Sequence, residues 1–490
     1  MSRGLEDYRQ INFGFAEAKL EFEKAPRLLR DGYYDLNDAE HKILSSHEFL
    51  ILGYKGSGKS YVGARLRLLA QDSPAKYLVP QPIYVPDLPL DNFRGIVPDT
   101  FDALSRYKQS WKLLLLTEIV VNAADDGGAH SRSLTVMREA KKLLGDAGIT
   151  ARSPASLRKL KTTKVVSTVH LPKFYDLTRE LEPNTHENYI TIWTAYLEAV
   201  CQQFMSQRAH YYFIDGLDDL TVLGQGREAL LAGLIEAAAD INDLFASDGA
   251  PQVKLAVACR TDLYRKLATR RTGKIRRDYG LELNWFQARR EPSTAHVIRL
   301  ANLRARLAGL SNGDVFRKFF PTKIQGQSTS ERLLDQTRHT PRDLLQLLKI
   351  IQKQVDSTGP ISEAQVLSGI ADYSDTYMRD DVDEVLGAYF SEPVIRQRCT
   401  DLLGTVRRRE FEFSQLRDRA ASEPRFKGVN VDTLVDALFE NGFIGNVTAG
   451  GARGTGGDYY RFKYRNPSAT LLTEEKLVFN YGLWKTFNVA

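Results

Sequence analysis

The segment GYKGSGKS, residues 53–60, constrains this chain more than any other stretch of its sequence. It satisfies the pattern G-x-x-x-x-G-K-[ST], in which glycines let backbone N–H groups close around phosphate oxygens. The continuous apolar run FLILG (49–53) predicts a buried strand before it, and apolar residues at helical spacing in 59–70 predict a helix after it. Strand, glycine loop and helix in this order predict a P-loop; the alternative is a glycine-rich turn before a core helix.

Lys59 and Ser60 are the two side chains of this motif with a direct chemical task. Lys59 is expected to reach the β- and γ-phosphate oxygens, and Ser60 is expected to offer its hydroxyl to Mg²⁺. The complete set of residues expected to contact the nucleotide in this segment is Gly53, Lys55, Gly56, Ser57, Gly58, Lys59, Ser60 and Tyr61.

A second motif, YYFIDGLDDL (211–220), supplies acidic groups for the same site. Its apolar half predicts a buried strand that ends at Asp215, and an acid at the tip of such a strand can hold Mg²⁺ through its water shell. Asp219, or else Asp218, would orient or deprotonate the attacking water. The alternative is a strand followed by an acidic turn.

Composition narrows the class of protein without choosing a function. The chain has 490 residues, 43% hydrophobic and 26% charged, which is typical of a folded water-soluble protein of two to four domains. Its net charge of +6 does not by itself call for nucleic acid. The three scattered cysteines favour a reducing cytosol, and no apolar signal segment or membrane-length run is present, so a cytoplasmic protein without a membrane partner is expected.

The acidic motif resembles the Walker B segment of NACHT and other STAND-type NTPases, in which Asp-Gly-apolar-Asp-Glu/Asp follows an apolar strand. The resemblance implies that Asp215 serves Mg²⁺ and that Asp218 and Asp219 serve hydrolysis of ATP; this chain has Asp where many relatives end in Glu. It also implies the AAA+/STAND strand order, with the glycine-loop strand in the middle. No guanine-reading Asn-Lys-x-Asp motif appears.

Further apolar runs complete a predicted α/β core with a parallel sheet covered on both faces. They lie at 83–87, 253–260 and 280–285. Arg260 ends the second of these runs and resembles the sensor-1 arginine that faces the γ-phosphate; the alternative is a surface arginine. Arg342 opens a helix after "HTP" and resembles a sensor-2 arginine of a helical lid, as opposed to a solvated arginine at a plain helix start.

The last part of the chain looks like a winged helix, with three predicted helices and a glycine-tipped β-ribbon. Its third helix carries Asp432, Asp436 and Glu440, which a phosphate-lined groove repels, so a protein-contact role is favoured over DNA reading. The predicted division of the chain is a leader at 1–48, a P-loop core at 49–300 with a mostly helical insertion at about 100–190, a helical lid at 301–356 and a winged-helix domain at 357–490.

The leader, the glycine loop and several later segments together resemble a family of bacterial P-loop ATPases of the STAND/AAA+ kind. Members are often found near phage-defence genes, which implies an ATP-driven switch that assembles with itself or with an effector protein in antiviral defence. The alternatives are a DNA-bound AAA+ ATPase that uses the basic insertion and the wing, and a non-catalytic scaffold that keeps ATP bound. Arg276 and Arg277, in a basic segment read as a loop, are candidates for arginines donated to a neighbouring subunit; the alternative is a solvated loop.

Overall fold

The structure is a computed structural model of the chain. The residues that it describes are 6–88, 102–153, 186–217, 227–246, 251–267, 271–287, 291–310, 313–448 and 459–489. They form two compact units. The sheet unit comprises Asn37–Leu52 and Lys59–Glu282, and the helical unit comprises Met1–Leu36, Gly53–Gly58 and Leu283–Ala490. The predicted boundaries of leader, core, lid and winged helix stay a prediction.

The elements are numbered in chain order. The strands are β1 Leu50–Gly53, β2 Tyr77–Leu78, β3 Ile83–Tyr84, β4 Ala209–Asp215, β5 Val253–Arg260, β6 Gly280–Glu282, β7 Lys323–Ile324, β8 Gln327–Ser328, β9 Glu410–Phe411, β10 Ile444–Thr448, β11 Tyr459–Phe462 and β12 Leu477–Phe479. The helices are α1 Ala18–Lys24, α2 Pro26–Asp31, α3 Ala39–Ser45, α4 Lys59–Asp72, α5 Ala103–Ala123, α6 Ser131–Asp146, α7 His186–Cys201, α8 Arg227–Leu244, α9 Thr261–Arg265, α10 Thr272–Tyr279, α11 His296–Leu307, α12 Val315–Phe319, α13 Thr329–Asp335, α14 Pro341–Gln352, α15 Glu363–Tyr373, α16 Arg379–Gly387, α17 Pro393–Gly404, α18 Phe413–Ser422 and α19 Val431–Glu440.

A central sheet runs β2-β4-β5-β1-β6, with β3 also paired to β4. The pairings of β1 with β6, of β4 with β5, and of β2 and β3 with β4 are parallel. The predicted α/β fold with a parallel sheet is therefore confirmed. The glycine-loop strand β1 lies inside the sheet, between β5 and β6, one strand in from the edge and not at its middle.

The sheet is buried because its strands are apolar on both faces. β5 is buried at every position, and β4 is buried at all but its two ends. Helices α5 and α6, which lie in the predicted insertion, supply apolar side chains to the same core, as do α7 and α8. The buried indole of Trp111 in α5 donates to the carbonyl of Leu230 in α8 at 3.1 Å.

Two predicted segments differ from the structure. The run at 83–87 is a strand only over Ile83–Tyr84, because a 3-10 turn containing Pro86 follows at Val85–Asp87. The basic segment after β5 is not a loop where it is described, since it forms α9 and α10. The short β2, which pairs with the start of β4, was not predicted.

The predicted leader is divided between the two units, and its first part, up to Leu36, belongs to the helical unit. The Tyr8 hydroxyl, fully buried, donates to the Leu348 carbonyl of α14 at 3.0 Å. Glu21 of α1 and Arg304 of α11 form a buried ion pair with an N–O distance of 2.7 Å. These contacts span about 280 to 340 residues of sequence, so the leader is packed against helices that follow the sheet unit in the chain.

The predicted helix break before "RDLL" is confirmed. α13 ends at Asp335 and α14 begins at Pro341, where a missing N–H costs nothing because the first turn of a helix leaves it unpaired. Thr340 caps α14 by accepting a hydrogen bond from the backbone N–H of Asp343 at 3.2 Å.

The C-terminal part has the predicted winged-helix elements. Helices α17, α18 and α19 accompany a sheet of order β11-β10-β12-β9, whose pairings are antiparallel. Strand β9 lies between α17 and α18 in the chain, and the other three strands follow α19. The tip of the β10–β11 ribbon, including Arg453, lies outside the described residues. No helix in the described ranges combines the length and the apolar character needed to cross a membrane.

Candidate nucleotide-binding site

The glycine loop has the backbone that its sequence predicts. β1 ends at Gly53 and α4 begins at Lys59, so the loop joins a strand tip to a helix N-terminus, where free N–H groups and the helix dipole favour anions. Gly56 and Gly58 have φ of +80° and +93°, a conformation that side-chain-bearing residues rarely adopt. A Cβ at Gly58 would meet no atom within 4 Å, so space is open beside the loop there.

Ser57 lies inside this loop and is 2% exposed. Among the residues that the structure describes, its hydroxyl oxygen has no hydrogen-bond partner. A Cβ at Gly53 would lie 2.2 Å from that oxygen, so a larger residue at the first position of the motif would displace the Ser57 hydroxyl. The Trp285 indole N–H donates a hydrogen bond to the Ser57 carbonyl at 2.8 Å. A buried, unpartnered hydroxyl in a glycine loop is a group that a phosphate oxygen would satisfy.

At the start of α4, Lys59 is 6% exposed whereas Ser60 is exposed and Tyr61 is half-buried. The charge of Lys59 also acts on Asp262, which directly follows β5. Burial raises the pKa of the Asp262 carboxyl, but the charge and hydrogen bonds of Arg260, together with the charge of Lys59, outweigh it and leave that pKa lowered.

Arg260, predicted to sense the γ-phosphate, ends β5 and is 7% exposed, so the alternative of a surface arginine is wrong. Its guanidinium makes a fork with Asp262, with N–O distances of 2.9 and 2.7 Å. A planar fork of this kind fixes the arginine in one orientation. Asp262 was not predicted as a site residue, although its position two residues after the strand tip was a possible signal.

Asp215, the predicted magnesium residue, ends β4 as expected and is half-buried. One of its carboxylate oxygens accepts the Gly216 N–H at 2.8 Å. Asp218 and Asp219, the predicted hydrolytic residues, lie outside the described residues.

Arg342, the predicted lid arginine, contacts the glycine loop through its backbone. Its N–H donates to the Gly56 carbonyl at 3.3 Å, and a Cβ at Gly56 would lie 3.1 Å from the Cβ of Arg342. The Arg342 side chain is half-buried. The Thr340 hydroxyl oxygen would also lie 3.1 Å from a Cβ at Gly56, so the "TPR" segment packs directly against the loop.

Lys55, predicted among the nucleotide contacts, has its side chain engaged elsewhere. Its amine lies 2.6 Å from a carboxylate oxygen of Asp381 and 2.6 Å from one of Glu384, both on α16. No local pattern in the sequence indicates these partners, because they lie more than 320 residues away.

Arg276 and Arg277 lie on α10, a helix, and not on the loop that was predicted. Arg276 forms an ion pair with Glu282 in the same chain. Both arginines line a surface cavity of about 790 Å³ together with Lys42 and Asp38. The role of either arginine in a neighbouring subunit stays a prediction.

The basic side chains that the structure describes on and just after β11, the second strand of the wing, are paired within the chain. Arg461 forms an ion pair with Glu475, Lys463 lies 2.7 Å from Glu440, and Arg465 lies 3.5 Å from Asp335. Paired cations bind phosphate backbones less readily than free ones, because an existing partner must first be displaced.

The residues present fit a nucleotide and its magnesium ion. The loop offers an anion-attracting helix start, the buried Lys59 and the unpartnered Ser57 hydroxyl, while Ser60 and Asp215 are hard oxygen donors of the kind that Mg²⁺ prefers. Within the described ranges, no group of three or more His, Cys, Asp or Glu residues forms a metal cage. This matches the usual behaviour of Mg²⁺, which is held by one or two carboxylates together with substrate phosphates.

Comparison with known proteins gives two findings. A family model described as the FunZ-associated C-terminal helical domain matches residues 295–380, which run from the start of α11 to the start of α16. Among solved structures, the chain is similar to that of the Aeropyrum pernix ORC1 protein in complex with DNA, at 13% identity and a TM-score of 0.34, over 97% of this chain and 93% of that one. No curated protein matched the chain.

Proposed function

We propose that the chain binds ATP with Mg²⁺ at the glycine loop and hydrolyses it, and that it works as a STAND/AAA+-like molecular switch. The observation that carries this proposal is the loop itself. Its glycines have left-handed backbone conformations, its lysine is buried at a helix start, and its inner hydroxyl lacks a partner among the described residues. A simple turn before a core helix needs none of these features.

Each site residue then has a specific task. Lys59 binds the terminal phosphates, and Ser60 and Asp215 hold the ion, which when bound supplies charge neutralisation on the phosphate oxygens. Arg260, oriented by Asp262, stabilises charge on the γ-phosphate, and Asp219 orients the attacking water; Asp218 is the alternative for that role.

We further propose that nucleotide state controls assembly with a second component, in bacterial antiviral defence. The paired wing cations support a protein-contact role for the winged helix over DNA binding.

Binding is tested by calorimetry with ATP and Mg²⁺ on the wild type and on Lys59→Ala. The variant should bind at least about tenfold more weakly, because it loses a charge-assisted contact to phosphate. Lys141→Ala is the matched control, since Lys141 pairs with Asp125 at the exposed surface of the sheet unit. Equal affinities of a folded Lys59→Ala and the wild type would refute the proposed site.

Hydrolysis is tested separately by phosphate release. Asp219→Asn should retain ATP and lose turnover by about 10²-fold, the scale of a positioned base, whereas Asp215→Asn should weaken Mg²⁺-dependent binding. Normal turnover in Asp219→Asn with loss in Asp218→Asn would exchange the two roles. Background turnover in the wild type would leave a non-catalytic scaffold that binds ATP.

A further inference from the structure

The side chain of Lys55 connects the glycine loop to helix α16. Its amine lies between Asp381 and Glu384, at 2.6 Å from an oxygen of each. The Lys55 and Asp381 side chains are 10% and 5% exposed, whereas that of Glu384 is 68% exposed.

Asp381 also contacts a second group of charged residues. Arg338, 4% exposed, lies 2.5 Å from Asp381 and 2.8 Å from Asp343. The Tyr377 hydroxyl donates to Asp343 at 2.9 Å. Burial raises the pKa of the Asp381 carboxyl, but the charges of Arg338 and Lys55 outweigh it and hold that pKa well below its usual range. Asp381 is therefore a carboxylate shared between two cations.

The backbone that carries these acids is itself irregular. Between α15 and α16 the chain forms a π-helical turn at Ser374–Met378, which contains Tyr377. Such turns are rare and recur at functional sites, because they insert an extra residue and rotate the following side chains. Here α16, which follows the π-turn directly, brings Asp381 to the glycine loop.

The same region reaches the winged helix. The Arg338 guanidinium lies 4.5 Å from the centre of the Phe443 ring, next to β10, and the Tyr54 hydroxyl of the glycine loop donates to the Lys463 carbonyl after β11 at 3.2 Å. Residues of the loop, of α16 and of the wing are thus joined by contacts within one unit.

We infer that Lys55, Asp381, Glu384 and Arg338 form a loop latch, which holds α16 to the glycine loop and opens when the phosphates of a nucleotide draw Lys55 away from its carboxylates. This inference rests on the proposed function, because it needs a polyphosphate in the loop. Opening leaves no buried charge alone, since Asp381 keeps Arg338 and Glu384 is already largely in water. An uncompensated buried charge would make such a motion too costly.

The test is hydrogen exchange of the full chain, followed by mass spectrometry on peptides that cover α16, with and without ATP and Mg²⁺. ATP affinity is measured in parallel by calorimetry. In the wild type, ATP should speed exchange in α16 by about tenfold, because a tenfold change in an equilibrium constant corresponds to the free energy of about one charge-assisted contact. Lys55→Met should exchange fast without ATP and show no further increase with it.

Two further variants separate the latch from a general loss of stability. Lys55→Arg should restore both slow exchange and the response to ATP. Lys485→Met, which removes an exposed pair with Asp375 at 3.8 Å, should behave as the wild type. If Lys55→Met raises exchange but ATP still adds its full increment, Lys55 is only a structural anchor and the latch is refuted.

The remaining outcomes distinguish the two proposals. Slow exchange of α16 in Lys55→Met without ATP would show that Lys55 does not hold the helix and would overturn the latch, while the site would stand. Unchanged exchange in a wild type that binds ATP would also overturn the latch alone. A wild type that binds no ATP would refute the proposed function, and the latch would fall with it.

Discussion

Replacing Glu21 by glutamine should destabilise the helical unit, because it leaves the buried Arg304 without its charge partner. The Glu21 side chain is fully buried and that of Arg304 is 4% exposed. Arg304 donates to both Glu21 oxygens, at 2.7 and 3.1 Å, and also to the Phe13 carbonyl. A Glu21 oxygen additionally accepts the Phe15 N–H at 3.0 Å. The pair therefore fixes the leader as well as α11.

The expected loss follows from the burial of both groups. Removing one partner of a buried ion pair costs about 3–5 kcal/mol, and the lower end applies here because glutamine keeps the volume and one acceptor oxygen. For a unit of about 250 residues, each kcal/mol shifts the unfolding midpoint by roughly 2–4 °C. A shift of roughly 6–12 °C is therefore expected for the transition of the helical unit.

Calorimetric unfolding of the wild type and the variant measures this shift. Asp432→Asn is the control, because it breaks an exposed pair with Arg417 that is worth about 0–1 kcal/mol. The double variant Glu21→Gln, Arg304→Met should recover part of the stability, since it removes the uncompensated charge. Equal small shifts for Glu21→Gln and Asp432→Asn would refute the idea that the leader is fixed through this ion pair.

Two further predictions concern buried titratable groups. All three cysteines are buried, and burial raises the pKa of the Cys399 thiol to about 12. None of the three should therefore react with a thiol reagent at pH 8 until denaturant unfolds the chain. Rapid labelling of the native protein would contradict this prediction. Burial lowers the pKa of the Lys254 amine, which donates to the Ser46 carbonyl, to about 8. Because this pKa lies below the unfolded value of 10.5, the charged amine penalises the folded state below pH 8 and the penalty disappears as the pH rises towards 10.5. The free energy of unfolding of the wild type should therefore rise relative to that of Lys254→Met by on the order of 3 kcal/mol over this range, as measured by urea unfolding, and parallel pH profiles would contradict it.

Local sequence was sufficient to predict the elements around the glycine loop. The run before Gly53, the helical spacing after Lys59 and the two glycines with positive φ are properties of neighbouring residues, and the structure has strand, loop and helix at these positions. The strands that end at Asp215 and Arg260 could also be predicted from local sequence, because buried strands of a parallel sheet are continuous apolar runs. The "TPR" helix start was local as well, with a cap and a proline in the first turn.

Other elements depend on partners far away in the chain. The two-residue strand β2 is too short for any periodicity and is defined by its pairing with β4. Charged residues dominate the basic segment that forms α10 and predict a loop, yet the buried Ile275 anchors this segment in the core as a helix.

The partners of the charged side chains were the least predictable feature. The expected nucleotide contacts of Lys55 and Arg260 stay predictions, but the tertiary structure gives both side chains partners that no sequence pattern indicates. Lys55 pairs with Asp381 and Glu384, and Arg260 pairs with Asp262. A buried charge must find an opposite charge at short range, and any element that the fold brings close can supply it. The sequence determined where the phosphate-binding backbone lies, because backbone conformation is set locally, whereas only the tertiary structure decided which side chains surround it, because electrostatic partners are chosen by distance in space.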